Sequence, residues 1–152
     1  NPYNSENTKG HFAMKQIMLH GANDWRLDDI DEPTPGPRDA LVRIAACGIC
    51  GTDVSYIHMG MTPGHPIPLG HEMAGVIEWL GSEVTGLTVG DRVVVCPSDA
   101  GHGPMGTGGP QGGLTPILFV PDGHSCSCLG HALKVAPEHA QGRSATALAG
   151  LS

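Results

Sequence analysis

Cys47-Gly48-Ile49-Cys50-Gly51-Thr52-Asp53, followed by Gly70-His71-Glu72, brings two thiols, an imidazole and two carboxylates into one short stretch. These are the side chains that bind zinc and manage protons. On residue types alone, the CxxC of Cys47 and Cys50 is open to three readings: a redox pair, metal ligands, or two packed thiols. A redox pair normally opens a helix in a βαβ setting, whereas the surroundings here have the rhythm of an all-β fold. The metal reading gains from His71 and Glu72, because Pro66, Pro68 and Gly70 form a rigid turn able to hold an imidazole. The plainer alternative is a His and a Glu at the start of a strand, one facing in and one out.

Short strands are expected to position these groups. Apolar alternation and turn signals predict strands over Gln16–His20, Trp25–Leu27, Ala40–Ala46, Glu72–Trp79, Arg92–Cys96, Pro116–Val120 and Ala132–Val135. One interior segment reads as helix, Thr52–Met59, with Thr52 or Asp53 available to cap it. Cys50 then sits at a helix N-terminus, where the positive end of the helix dipole suits a thiolate ligand. Gly101 to Gly113 is dominated by glycine and proline and is expected to be a mobile or tightly wound loop.

The 152 residues fit one domain with its own core. A formal charge of -7, with 8 Lys plus Arg and no basic cluster, disfavours nucleic acid and anionic membrane as partners. No apolar run approaches the roughly 20 residues that span a bilayer. The odd count of 5 cysteines and their close spacing point away from a secreted disulfide framework and toward a reducing cytoplasmic setting. Residues 1–13 are expected to be an ill-ordered leader, 14–140 the folded domain, and 141–152 a tail that could begin a linker.

Taken in order, CGICGTD, PIPLGHEMAGVIEWLGSEV and LTVGDRVVV resemble the zinc-dependent medium-chain alcohol dehydrogenases, within them the sorbitol and threonine dehydrogenase branch. The likeness runs from Met14 through about His139. It implies a mainly β, GroES-like β-barrel with one or two short helices, the catalytic half of an enzyme whose cofactor-binding Rossmann domain is not in these residues. It further implies a catalytic zinc held by Cys50 and His71, with Glu72 as a third ligand or a close carboxylate. By the same resemblance Thr52 takes the substrate proton, Asp53 steadies the zinc-bound histidine, and Cys47 is a packed thiol.

Three departures qualify the resemblance. Ser55 stands where many relatives carry a relay histidine, the nearest being His58. Only Cys96 lies between Arg92 and Gly113, where many relatives carry four cysteines, so a structural zinc is not expected. Hydride transfer needs NAD or NADP, and the one GxGxxG match, Gly101 to Gly106, contains Pro104 and lacks a following helix or ribose-binding acid. The cluster from His124 to His131, with Cys126 and Cys128, reads as an exposed loop or a minor metal site.

The expected function is the catalytic-domain portion of an alcohol or polyol dehydrogenase. Its expected partners are a small alcohol or polyol and, in the full-length enzyme, further copies of itself. By itself the chain is expected to be inactive. The rival is a free-standing metal-binding or interaction module without turnover. A zinc hydrolase is disfavoured because His71-Glu72-Met73-Ala74-Gly75 lacks the second histidine of HExxH.

Overall fold

The computed structural model describes residues 14–99, 103–121 and 132–134. Expectations for residues 1–13, the His124 to His131 cluster and the tail after 140 fall outside the described residues. The fold is mainly strand with one helix among the described residues, as the sequence predicts.

Two antiparallel sheets carry the architecture. In the first, β1 (Met14–Gly21) is flanked by β2 (Asp24–Ile30) and the short β4 (Ile67–Pro68). A two-residue turn joins β1 to β2, and Asn23 there takes φ 56. Asparagine tolerates this left-handed conformation better than most residues. The second sheet has the order β10 (Ala132–Lys134), β6 (Arg92–Val95), β5 (Glu72–Leu80), β3 (Ala40–Gly48) and β9 (Ile117–Val120). A small hairpin of β7 (Ser98–Asp99) and β8 (Gly103–Pro104) stands apart. No sheet closes on itself among the described residues, so the strands form open sheets rather than one continuous ladder. Backbone bonds outside the ladders tie each sheet to the loop before β9: Ile17 in the first donates to Leu114, and Ile44 in the second to Pro116.

The core follows the twofold period of a strand. Along β5, Met73, Gly75 and Ile77 are buried while Glu72 is exposed. Met73 and Ile77 pack with Val42, Val93 and Leu118 into the larger apolar cluster, and Leu19, Ile67 and Leu69 form a smaller one. No helix among the described residues is long and apolar enough to cross a membrane.

The helix α1 (Gly51–Met59) corrects the expected cap. Cys50, rather than Thr52 or Asp53, is the N-cap, and its sulfur accepts the Thr52 N–H at 3.3 Å. Asp53 completes a capping box by accepting the Cys50 N–H at 3.1 Å. Gly60 ends the helix at φ 61, where a side chain would also collide with the Ala22 backbone.

Burial of the apolar face of β9 predicts a strong asymmetry between two leucines. Leu118 is 0% and Leu27 61% exposed. Leu118→Ala is expected to cost about 2–5 kcal/mol, and Leu27→Ala within about 0.5 kcal/mol. Urea denaturation with an unchanged m value measures both, and equal losses would contradict this placement of the core.

Candidate metal centre

Three separated segments build the site. The turn after β3 delivers Cys50 to the start of α1, and the first turn of that helix carries Asp53 inward. The turn between β4 and β5 presents His71. A glycine-rich loop over residues 105–116 then folds back across that turn, with Gly113 donating to the Gly70 carbonyl at 2.8 Å and Gly108 to Pro68 at 3.1 Å. Of the region expected to be a loop, Gly103–Pro104 instead pairs as β8, and residues 105–113 are tightly wound. At Gly106 a Cβ would lie 2.7 Å from the Gly70 oxygen and 2.8 Å from His71 Cβ, so the backbones could not approach this closely with a larger residue.

Within this frame His71 uses both ring nitrogens. Nε2 lies 3.2 Å from Cys50 Sγ. On the other side, Nδ1 is 3.2 Å from Asp53 Oδ1 and 3.0 Å from the Thr107 hydroxyl. The His71 side chain is 19% exposed and that of Asp53 1%. Donor atoms of Cys50, Asp53 and His71 all fall within 4.8 Å of one another, which makes them the candidate metal-binding group among the described residues.

The chemistry of this donor set fits zinc through two of its members. Zinc bonds of about 2.3 Å to sulfur and 2.0 Å to nitrogen, at a tetrahedral angle, separate the two donors by about 3.5 Å. The 3.2 Å between Sγ and Nε2 needs little adjustment. Asp53 faces the opposite ring nitrogen, and both of its oxygens are engaged, Oδ2 by Cys50 N–H and Oδ1 by Thr107. It thus stands where a carboxylate would hold the second nitrogen of an imidazole that bound a metal.

Glu72 follows His71 at the first position of β5 and is exposed. It lies outside the 4.8 Å group. Its carboxylate occupies the space above Gly48, where any side chain would overlap Oε2. Thr52 is exposed in the first turn of α1. Tyr56 lines an open cleft of about 420 Å³ with Met61, Thr62, Pro63, Ile67 and Gly108. Ile57 packs against the smaller core cluster, and Met59 is 64% exposed. Sequence reasoning missed Thr107, although it carries the only hydroxyl between Gly101 and Gly113.

Comparison with known proteins agrees with this fold. Residues 36–129 match the alcohol dehydrogenase GroES-like domain. Sorbitol dehydrogenase of Homo sapiens is 41% identical over 85 residues, covering 53% of this chain and 24% of that protein. The 2R,3R-butanediol dehydrogenase structure from Bacillus subtilis superposes with a TM-score of 0.71 at 27% identity, over 83% of this chain and 41% of the other. A protein assigned to the zinc-binding dehydrogenases of Sinorhizobium meliloti 1021, solved with NADP bound, gives 0.66 at 28% identity over 84% and 40% of the two chains. The chain thus spans about a quarter of the curated relative's length and about two fifths of each solved structure.

Cys47, the other thiol of the motif, faces elsewhere. It packs on the larger core cluster, and its sulfur donates to the Gly48 carbonyl at 3.6 Å. Burial pushes its thiol up to about 11, with Asp53 and Glu72 adding in the same direction and a hydrogen bond from the Glu72 backbone opposing it. Because the folded value lies above the ordinary 9.0, the unfolded chain sheds this proton first. The stabilisation from Cys47 is fully present below pH 9.0 and is lost as pH rises toward about 11. Cys47→Ala is expected to make the alkaline fall in stability shallower, as measured by urea titrations across that window; an unchanged slope would rule the thiol out as its source.

Proposed function

Because the chain belongs to the alcohol dehydrogenase GroES-like domain family, we propose that it is the zinc-binding catalytic portion of an alcohol or polyol dehydrogenase. The facing pair of Cys50 Sγ and His71 Nε2, 3.2 Å apart, carries this reading. A thiolate and a neutral imidazole are a donor pair well suited to zinc. Glu72 serves as third ligand or as a nearby carboxylate, a role supported by its place beside His71 and its exposed side chain. When bound, the metal supplies Lewis acidity and an open position that lower the proton affinity of an alcohol oxygen.

The chain's own residues do the rest. Thr52, exposed two residues beyond Cys50, accepts the alcohol proton and releases it toward solvent. Asp53 keeps the His71 ring from turning away from the metal. The open cleft beside Tyr56 has room for a small alcohol or polyol. The hydride acceptor is NAD or NADP, and one similar structure was solved with NADP bound. The free thiols of Cys47 and Cys50 support a reducing, cytoplasmic setting.

Metal analysis of the purified chain tests the centre directly. Zinc is expected to bind at about one equivalent, and Cys50→Ser or His71→Ala to reduce it well below that, since each removes one of few ligands. Wild-type stoichiometry in either variant would eliminate this site.

A further inference from the structure

We propose that Thr107 is a positioning residue of the metal centre, whose hydroxyl decides which nitrogen of His71 carries the ring proton and so leaves Nε2 bare toward Cys50. This role builds on the zinc reading above. Three groups converge on Thr107 Oγ1: the Gly70 N–H at 2.9 Å, Asp53 Oδ1 at 2.9 Å and His71 Nδ1 at 3.0 Å. A hydroxyl offers one proton and two lone pairs. Gly70 N–H can only donate and the Asp53 carboxylate can only accept, so the proton goes to Asp53 and one lone pair receives Gly70. The remaining lone pair faces His71, and Nδ1 must therefore carry the proton of the neutral ring. Nε2 is left unprotonated and directed at Cys50 Sγ, the state a metal ligand requires.

The opposite tautomer is penalised by the same count. Thr107 would have to turn its only proton to Nδ1, and Asp53 Oδ1 would lose both of its donors. On a side chain 1% exposed, that oxygen would have no water to replace them. Asp53 alone constrains the ring less, because its single contact at 3.2 Å leaves the imidazole a pivot. The second acceptor places the N–H between two oxygens. Thr107 is itself fixed, since Met105 before it donates its N–H to the Pro97 carbonyl and Gly108 after it to that of Pro68.

The test uses Thr107→Val, which keeps the shape and removes the hydroxyl, and Thr107→Ser, which keeps the hydroxyl. In the zinc-free chain, nitrogen NMR of labelled histidine reads the His71 tautomer, with the signal identified by its loss in His71→Gln. Competition with a chelator reads zinc affinity. Wild type is expected to show the Nδ1–H form, and Thr107→Val a mixture of tautomers with zinc binding weakened by about 10-fold or more. Thr107→Ser should restore both. An unchanged tautomer and affinity in Thr107→Val, or a serine variant as impaired as the valine one, would overturn the assignment. Should wild type bind no zinc, the zinc reading fails, and the tautomer in the zinc-free chain still decides the role of Thr107. Thr107→Ala, which adds no branched bulk, carries the same measurements if the valine variant does not fold.

Discussion

An ionised carboxylate taken out of water must be met by donors, and the cost of leaving it unmet is several kcal/mol. Asp53, 1% exposed, is the side chain on which the arrangement of this centre depends. Its donors come from three places far apart in sequence: the Cys50 amide before α1, the Thr107 hydroxyl in the glycine-rich loop, and the His71 ring ahead of β5. Satisfying one buried charge therefore fixes the relative positions of three segments. Because Asp53 is also the N3 residue of the α1 capping box, starting the helix and assembling the candidate metal centre share a side chain.

That convergence requires backbones closer than side chains would allow. Gly70, at φ 94, would drive a Cβ into Cys47 Sγ and Leu114, and Gly106 meets the same limit against His71. The loop is secured at its far end by Gln111, whose amide donates to the Ile117 carbonyl and accepts the Phe119 N–H, each at 2.8 Å. These bonds occupy the outer edge of β9, so a buried side chain both anchors the loop and blunts an edge strand. Metal-site geometry and sheet-edge protection are two ends of one segment.

Much of this was legible in the sequence because it rests on local patterns. The strand expected over Glu72–Trp79 is β5 to within a residue, and the helix expected over Thr52–Met59 is α1 to within a residue. Cys50 as the cap was not legible, since sulfur is a weak acceptor and stands outside the usual Ser, Thr, Asp and Asn set. The family resemblance supplied Cys50, His71, Glu72, Thr52 and Asp53 as candidates. The structure brings the first two and Asp53 together and sets Glu72 and Thr52 at the exposed margin. Thr107 lies 36 residues from His71, among glycines that carry no periodicity. Its proximity is made by tertiary packing, which no local pattern encodes. The open sheets depend likewise on where long-range ladders stop.

The fate of the two motif thiols turns on where β3 ends. A strand alternates its faces, and β3 holds Cys47 in register with Met73 and against the core. Had the strand continued, the residue at 50 would have followed the same alternation, tied to the sheet rather than to the helix. Instead β3 stops at Gly48 and α1 begins at Gly51, leaving two residues to turn the second sulfur out of the sheet and toward His71. Gly48 is also where the Glu72 carboxylate needs room, so the residue that ends the strand accommodates the carboxylate next to the imidazole. CxxC spacing here thus divides labour between its cysteines: the first seals the core, and the second, three residues later, caps a helix and faces a histidine.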